Sequence, residues 1–395
     1  MDRRQLTLGM AAAAGAGWAR AEPASVALPF DNGARPLVRY PQKRALLRLT
    51  TRPPQLETPF AVFDESDVTP NDAFFVRYHL MGAPALADPA TFRLNVGGHV
   101  ERPLSLSLAE LKAMPREDII AVNQCSGNSR GFSNPRVAGG QAGNGMMGNA
   151  RWSGVPLKAV LDRAGVGAGA VQVKFAGLDK PAIPGPPPFA KALDIDHARD
   201  GEVMLAYAMN GAALPVLNGY PLRLVVPGWY GTYWVKHVAE ITVLDAPLDN
   251  FWMSTAYRVP DNDCACVPGG APAGKTRPIS RYDVRSFITS LSDGQKVRAG
   301  PPVVVRGIAF DGGSGIAKVE VSADGGQSWR EARLGPDLGR YAFRRWTTDV
   351  RLPRGKAQMA VRATSRTGET QPTAARWNPS GYMRNVVETT TVEVS

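Results

Sequence analysis

The chain has 395 residues, with 46 Lys and Arg against 35 Asp and Glu, and it holds 41 Gly and 33 Pro. That length accommodates two or three domains, the Gly and Pro content disfavours a helical bundle, and no run of eighteen apolar residues is present to form a spanning helix. The formal charge of +11 suits an anionic substrate or an acidic partner as well as plain solubility, and no nucleic-acid motif accompanies it.

Residues 1–21 read as a removable leader. Arg3-Arg4 precede a mildly apolar, Ala/Gly-rich run from Leu6 to Trp18, and Ala19-Arg20-Ala21 supplies an A-x-A cleavage pattern. The paired arginines predict twin-arginine export and cleavage after Ala21. The mature chain would then be periplasmic, exported already folded, with about +9 of the charge left. Residues 22–60, Pro- and Arg-rich with weak periodicity, predict an extended arm. Between 61 and 258 strands and short helices mix. Phe74-Phe75-Val76 reads as a strand. A capping box, Ser107 to Glu110, opens a helix that Pro115 closes. Pro156 and Gly165 bracket a second helix. VQVKFAG, LRLVVPG and AEITVLD read as strands. Strand and helix do not alternate regularly, which predicts an α+β domain.

A Pro/Gly-rich linker is expected over 259–277. From 278 to 395, Val303-Val304-Val305, Lys318 to Ser322, AQMAVRATS and NVVETTTVEV are short strands with frequent turns, the pattern of an immunoglobulin-like β-sandwich. GGAPAGKT (269–276) matches a phosphate loop by letter, but it lacks the preceding strand and following helix that such a loop needs. Gly165-Val166-Gly167-Ala168-Gly169 follows a helix and precedes a strand, the reverse of the dinucleotide order, and is read as a turn.

Three cysteines remain: Cys125, Cys264 and Cys266. The last two are one residue apart, too close for an easy disulfide, and no C-x-x-C-H motif attaches a haem. Cys125 lies in the turn-rich stretch NQCSGNSRG, where a thiol is inert, nucleophilic or metal-ligating. A nucleophile wants a histidine base, yet no local signature ties His79, His99, His197 or His237 to it. Clustered zinc ligands are missing too. A thiolate on a soft metal whose other ligands come from a cofactor is the remaining chemistry.

FFVRYHL (74–80), NQCSGNSR (123–130), ARWSGVPL (150–157), AGLD (176–179), LAYAMNG (205–211), NGYPLRLVVPG (218–228) and YWVKHVAEITV (233–243) occur in this order. Together they resemble the sulfite oxidase family of molybdenum enzymes, in its bacterial periplasmic sulfite dehydrogenase type. The resemblance implies a mixed α+β molybdenum-cofactor domain followed by the sandwich, acting in dimerisation. It implies a molybdenum–molybdopterin cofactor with Cys125 as the metal's protein ligand, Gly127 letting the backbone approach closely, and no haem in this chain. By the same resemblance Arg77 faces the oxyanion, Arg130 is a second substrate arginine, and Tyr257 hydrogen-bonds the metal's oxo group. His79 bonds the pterin, and Asp179 contacts it. Arg223 and Lys236 hold the phosphate or the pterin by charge-assisted bonds. Phe75, Tyr78, Asn218 and Trp234 complete the cofactor-binding set, although Trp152 and Trp234 also suit a core. A further substrate arginine near the sandwich is sought among Arg340, Arg344 and Arg345. Departures fall at Tyr78, often Asn in the family, at Asn218, His in vertebrate enzymes, and at Ser129, where those enzymes have an arginine next to the one that Arg130 matches.

The expected reaction is oxidation of sulfite to sulfate, with electrons passed singly to a separate c-type cytochrome. That cytochrome is either a transient partner or a subunit, and the chain is otherwise a homodimer, with no nucleic acid and no membrane span. The same superfamily also offers a sulfane dehydrogenase subunit of a sulfur-oxidising complex and a methionine sulfoxide reductase, although that reductase type lacks the sandwich. An exported adhesion or binding module is the reading without catalysis.

Overall fold

The computed structural model describes residues 25–27, 33–81, 88–181 and 184–395; the leader expected at 1–21 lies outside them. The stretch expected to be an extended arm instead folds as an antiparallel meander. Its strands Ser25–Ala27, Ala34–Val38, Leu46–Thr50 and Gln55–Glu57 run in chain order to Val76–Arg77. Leu46, Leu56, Val76 and Tyr78 form a small core beneath it.

Two further sheets build the central domain. One orders Ala190–Asp194, Gln172–Gly177, Val238–Leu244, Arg93–Gly98 and Leu104–Ser107, with one parallel pairing between Val238–Leu244 and Arg93–Gly98. The other orders Ala212–Ala213, Met204–Met209, Met147–Pro156 and Glu117–Gln124, with Arg223–Val225 also paired to Met204–Met209. The helix Leu108–Ala113 starts at the expected capping box, with Ser107 and Glu110 bonded reciprocally. Leu157–Ala164 starts after Pro156 and stops at Gly165, φ +70°. No helix among the described residues is long and apolar enough to cross a membrane.

The C-terminal part, from Arg285 to Val394, is a β-sandwich. One sheet orders Arg285–Ile288, Val303–Phe310, Arg344–Val350 and Arg333–Leu334. The other orders Lys296–Val297, Glu388–Val394, Gly355–Ser365, Ile316–Ser322 and Arg330–Glu331. Strand alternation gives the first sheet two apolar faces. Ile288, Val305, Ala309 and Trp346 point into the sandwich core, while Phe287, Ile308, Phe310 and Phe343 join the core of the central domain. The two halves therefore share buried surface.

Residues 259–277 are not a bare linker: Arg258–Pro260 and Thr276–Pro278 pair as an antiparallel ribbon. The loop between them corrects the cysteine reading. Cys264 and Cys266 form a disulfide, their Cα atoms 5.1 Å apart, within the span that such a bond needs. A left-handed Ala265, φ +47°, turns both side chains to one side of the chain.

Candidate active site

Cys125 follows directly on the strand Glu117–Gln124. The turn that presents it is held by backbone: Cys125 N donates to Met146 O at 2.9 Å, and Asn128 N to Cys125 O at 3.0 Å. Ser129 is left-handed, φ +70°, and its N–H reaches Gly143 O at 2.7 Å. Glu57 braces the facing loop, its carboxylate accepting from Gly143 N at 2.9 Å and Gly145 N at 2.8 Å. Burial pushes that carboxyl up to about 7.

Gly127 also makes room for a neighbouring side chain. A Cβ there would lie 2.8 Å from the Arg130 guanidinium carbon, and one on Gly139 would lie 2.5 Å from its Nη1. Both glycines leave room for Arg130 to fold back along its own turn. Arg130 Nε donates to Ser380 O at 3.0 Å, and its guanidinium lies over the Tyr382 ring at 5.0 Å.

Around Cys125 the other residues converge. The half-buried Arg77 lines the cavity beside Cys125, its Nη1 donating to Tyr78 O at 2.5 Å. Burial opposes its charge, but Tyr257, Cys125 and Tyr382 hold its pKa above the usual arginine value. Lys236 Nζ bonds Arg77 O and sits 3.5 Å above the Tyr78 ring, its pKa held well below normal by burial and then by Arg223. Tyr78 Oη lies 2.8 Å from His237 Nε2. His79 stacks on Phe189 at 3.6 Å, and burial followed by Arg77 keeps it neutral. Tyr257, left-handed at φ +59°, stacks on Tyr382 with ring centres 5.7 Å apart; burial raises its phenol. It follows a π-helical turn, Phe251–Thr255, whose Trp252 carbonyl accepts from the buried Lys191 at 2.7 Å.

Asn218 accepts from Lys43 Nζ at 2.5 Å and donates to Phe75 O at 2.9 Å. Arg223 donates to Asn218 O at 2.9 Å and lies between Trp152 and Trp234, 4.8 and 5.7 Å from their rings. Burial lowers it to about 9. Trp234 is both core and wall, bonded to Trp229 O and packed edge-on against Trp152.

Phe75, Arg77, Tyr78, His79, Cys125, Asp179, Asn218, Arg223, Trp234, Lys236 and Tyr257 all line one cavity. Arg130 lines a smaller chamber, whose walls share Arg77, Cys125 and Tyr257 with the first. None of the three arginines considered near the sandwich lines either space. Arg340 bonds Glu202, Arg344 pairs with Asp337, and Arg345 pairs with Asp67 at 2.7 Å. The sandwich half instead contributes Ser380 and Tyr382, and Arg285 reaches the back of the cysteine turn. Its Nη2 donates to Ser129 Oγ at 3.0 Å and Glu388 at 2.8 Å, and its Nη1 to Gln124 at 3.3 Å. Tyr382 carried no sequence signal. Arg285 did: it is a charge at the head of a short strand that ends in Phe287 and Ile288.

Two family models match the chain: an oxidoreductase molybdopterin binding domain over residues 80–252 and a Mo-co oxidoreductase dimerisation domain over 276–394. Human mitochondrial sulfite oxidase is 35% identical over 91% of this chain and 67% of its own length. Chicken (Gallus gallus) sulfite oxidase is 34% identical over 88% of this chain and 78% of its own. The solved sulfane dehydrogenase SoxCD from Paracoccus pantotrophus superposes with a TM-score of 0.76 at 30% identity, covering 87% of this chain and 85% of that one.

The larger cavity fits a molybdopterin. Asn123 Oδ1, Ser126 Oγ, Thr232 Oγ1 and Arg223 Nε are buried without a protein partner, and all four residues line it. Buried polar atoms normally have partners, so a polar heterocycle and phosphate are the missing complement. Arg223 stands at the same walls as a cation, Lys236 beside it is an amine that a bound anion would charge, and Cys125 is the soft ligand.

Proposed function

Because this chain belongs to the sulfite oxidase family of molybdenum enzymes, we propose that it oxidises sulfite to sulfate and hands the electrons to a separate c-type cytochrome. The observation that carries this reading is the convergence of Arg77, Arg130 and Tyr257 on the space beside Cys125. When bound, the molybdenum cofactor supplies oxygen-atom transfer and accepts two electrons. Sulfite and one water then give sulfate, two protons and two electrons. Cys125 ligates the metal. His79, Asp179, Arg223 and Lys236 hold the pterin and phosphate, lined by Phe75, Tyr78, Asn218 and Trp234. Arg77 and Arg130 place fixed positive charge against the oxyanion in a largely closed site. Tyr257 stays a protonated donor at neutral pH, because burial disfavours its phenolate.

Molybdenum analysis of the purified protein, with sulfite-dependent reduction of ferricyanide and cytochrome c, tests the reading; metal without sulfite turnover would overturn the substrate. Arg130→Gln is expected to lose a charge-assisted contact of about 1.5–3 kcal/mol, roughly tenfold to a hundredfold in kcat/KM. Steady-state kinetics of the variant check this, and unchanged values would mean that Arg130 does not meet substrate.

A second reading, oxidation of a sulfane sulfur carried by a partner protein, is favoured by one observation. None of the three arginines considered at the sandwich side lines the site, so the sandwich, which contributes Tyr382 to the wall, adds no cation there for a free dianion. The likeness to the sulfane dehydrogenase SoxCD supports the same reading. Turnover of a protein-bound persulfide with none of free sulfite would select it.

The leader supports twin-arginine export to the periplasm, and the match to a dimerisation domain supports a homodimer or a heteromer with a cytochrome subunit. The chain is basic and carries no haem-attachment motif, so an acidic cytochrome should dock over the molybdenum side, near Arg77 and Tyr257. Its reduction rate is expected to fall as salt rises, because screening sets in over a Debye length of about 10 Å at 0.1 M. Stopped-flow across a salt series checks this, and a salt-independent rate would make docking apolar.

A further inference from the structure

The Cys264-Ala265-Cys266 loop lines neither chamber, and nothing in the proposed reaction uses it. Its hydrogen bonds nevertheless lead to the substrate side. Asn262 clasps the loop, donating from Nδ2 to Cys266 O at 2.9 Å and accepting at Oδ1 from Cys266 N at 3.2 Å. Ala265 is buried in the main core and left-handed, a conformation that costs any residue with a Cβ. Its carbonyl accepts from Asn378 Nδ2 at 3.3 Å. The same buried asparagine encloses the next turn, donating to Tyr382 O at 2.9 Å and accepting from Tyr382 N at 3.1 Å. One residue earlier, Trp377 O accepts from Val267 N at 2.8 Å. The turn so held contains Ser380, whose carbonyl fixes Arg130 Nε, and ends at Tyr382, which lies under Arg130 and against Tyr257.

We propose that the Cys264–Cys266 disulfide, acting through Ala265 and Asn378, positions the substrate-side wall of the active site, so that Tyr382 and Arg130 are set before substrate arrives. The consequence for substrate rests on the proposed oxidation of sulfite; the positioning itself does not. A bridge across a single residue encloses too short a loop to restrict the unfolded chain much. Its effect is therefore local: it holds Ala265 in the backbone conformation that aims its carbonyl at Asn378. Without the bridge the left-handed residue is free to relax, and Asn378 loses one of its three partners.

The test compares the wild-type holoenzyme with Cys264→Ser/Cys266→Ser and with Asn378→Ala. Amide exchange over 376–384 should quicken about tenfold or more in both variants, while strands 303–310 and 355–365 keep their protection. With ferricyanide as acceptor, KM for sulfite should rise about fivefold or more with kcat within about twofold, and molybdenum content should not change. Combining the substitutions should add little to either alone, as for residues acting in one chain of contacts. Should a variant fail to fold, reduction of the wild type with a phosphine, followed by reoxidation, gives the same comparison reversibly. Unchanged exchange at 376–384 overturns the proposal, and so does faster exchange with an unchanged KM. Exchange needs no substrate, so a wild type inactive on sulfite removes the sulfite reading alone; calorimetric binding of sulfate then replaces KM.

Discussion

Replacement of Cys125 by serine is expected to abolish sulfite oxidation, with a loss of at least about a thousandfold, or ~4 kcal/mol of transition-state stabilisation. The thiolate is the soft ligand of the site, and a hard hydroxyl is a poor substitute for it. The fold should survive, because the turn is held by backbone bonds to Met146 and Asn128 and not by the sulfur. Serine is also close in size. The thermal midpoint should therefore stay within the shift expected of about 1 kcal/mol. Turnover with ferricyanide, a thermal melt and metal analysis separate the effects. A variant that oxidises sulfite at the wild-type rate would take Cys125 out of the reaction.

The largest stability effect is expected at Arg285→Met. Arg285 is 1% exposed, and it pairs with a Glu388 side chain that is only 12% exposed. Removing the cation strands a largely buried carboxylate, a change that typically costs about 3–5 kcal/mol. The nearby Arg384, with Nε 3.8 Å from the same carboxylate, should hold the loss near the lower end. Denaturant unfolding measures it, and a loss below about 1 kcal/mol would show that Arg384 compensates fully. Adding Glu388→Gln should recover a good part of the stability, because the stranded charge disappears with it. Catalysis should suffer as well. Ser129 Oγ and Gln124 Oε1 lose a donor on the two sides of Cys125, so kcat/KM is expected to fall even under conditions where the variant stays folded.

The features legible in the sequence are those whose physics is local. The capping box at Ser107 and Glu110 needs three residues of separation, and it formed. Pro156 and Gly165 act on the backbone dihedrals beside them, and the helix between them has those limits. Alternating apolar residues marked the strands of the sandwich, since side chains on a strand turn to opposite faces every second residue. The segment 34–57 carries only weak alternation and much Pro and Arg, so the meander was read as an arm; its core of Leu46, Leu56, Val76 and Tyr78 comes together only in the fold. The disulfide was missed for a related reason. Separation along the chain argued against it, whereas the deciding quantity was the left-handed turn at Ala265.

The candidate site divides along the same line. The sequence alone determined the turn around Cys125, the pattern of motifs and the residue types suited to a soft metal and an anionic cofactor, because each resides in a few consecutive positions. Only the tertiary structure decided what surrounds them. Arg130 takes its orientation from Ser380, 250 residues away, and Asn218 takes its own from Lys43, at a separation of 175. Arg340, Arg344 and Arg345, plausible by composition, are drawn instead to Glu202, Asp337 and Asp67. Arg130 and Ser380, Arg340 and Glu202, and Arg345 and Asp67 meet only when the sandwich packs its Phe287 and Phe310 face onto the central domain. Which charge meets which is then set by that packing, whose energy is spread over many buried apolar contacts and encoded in no short stretch of chain.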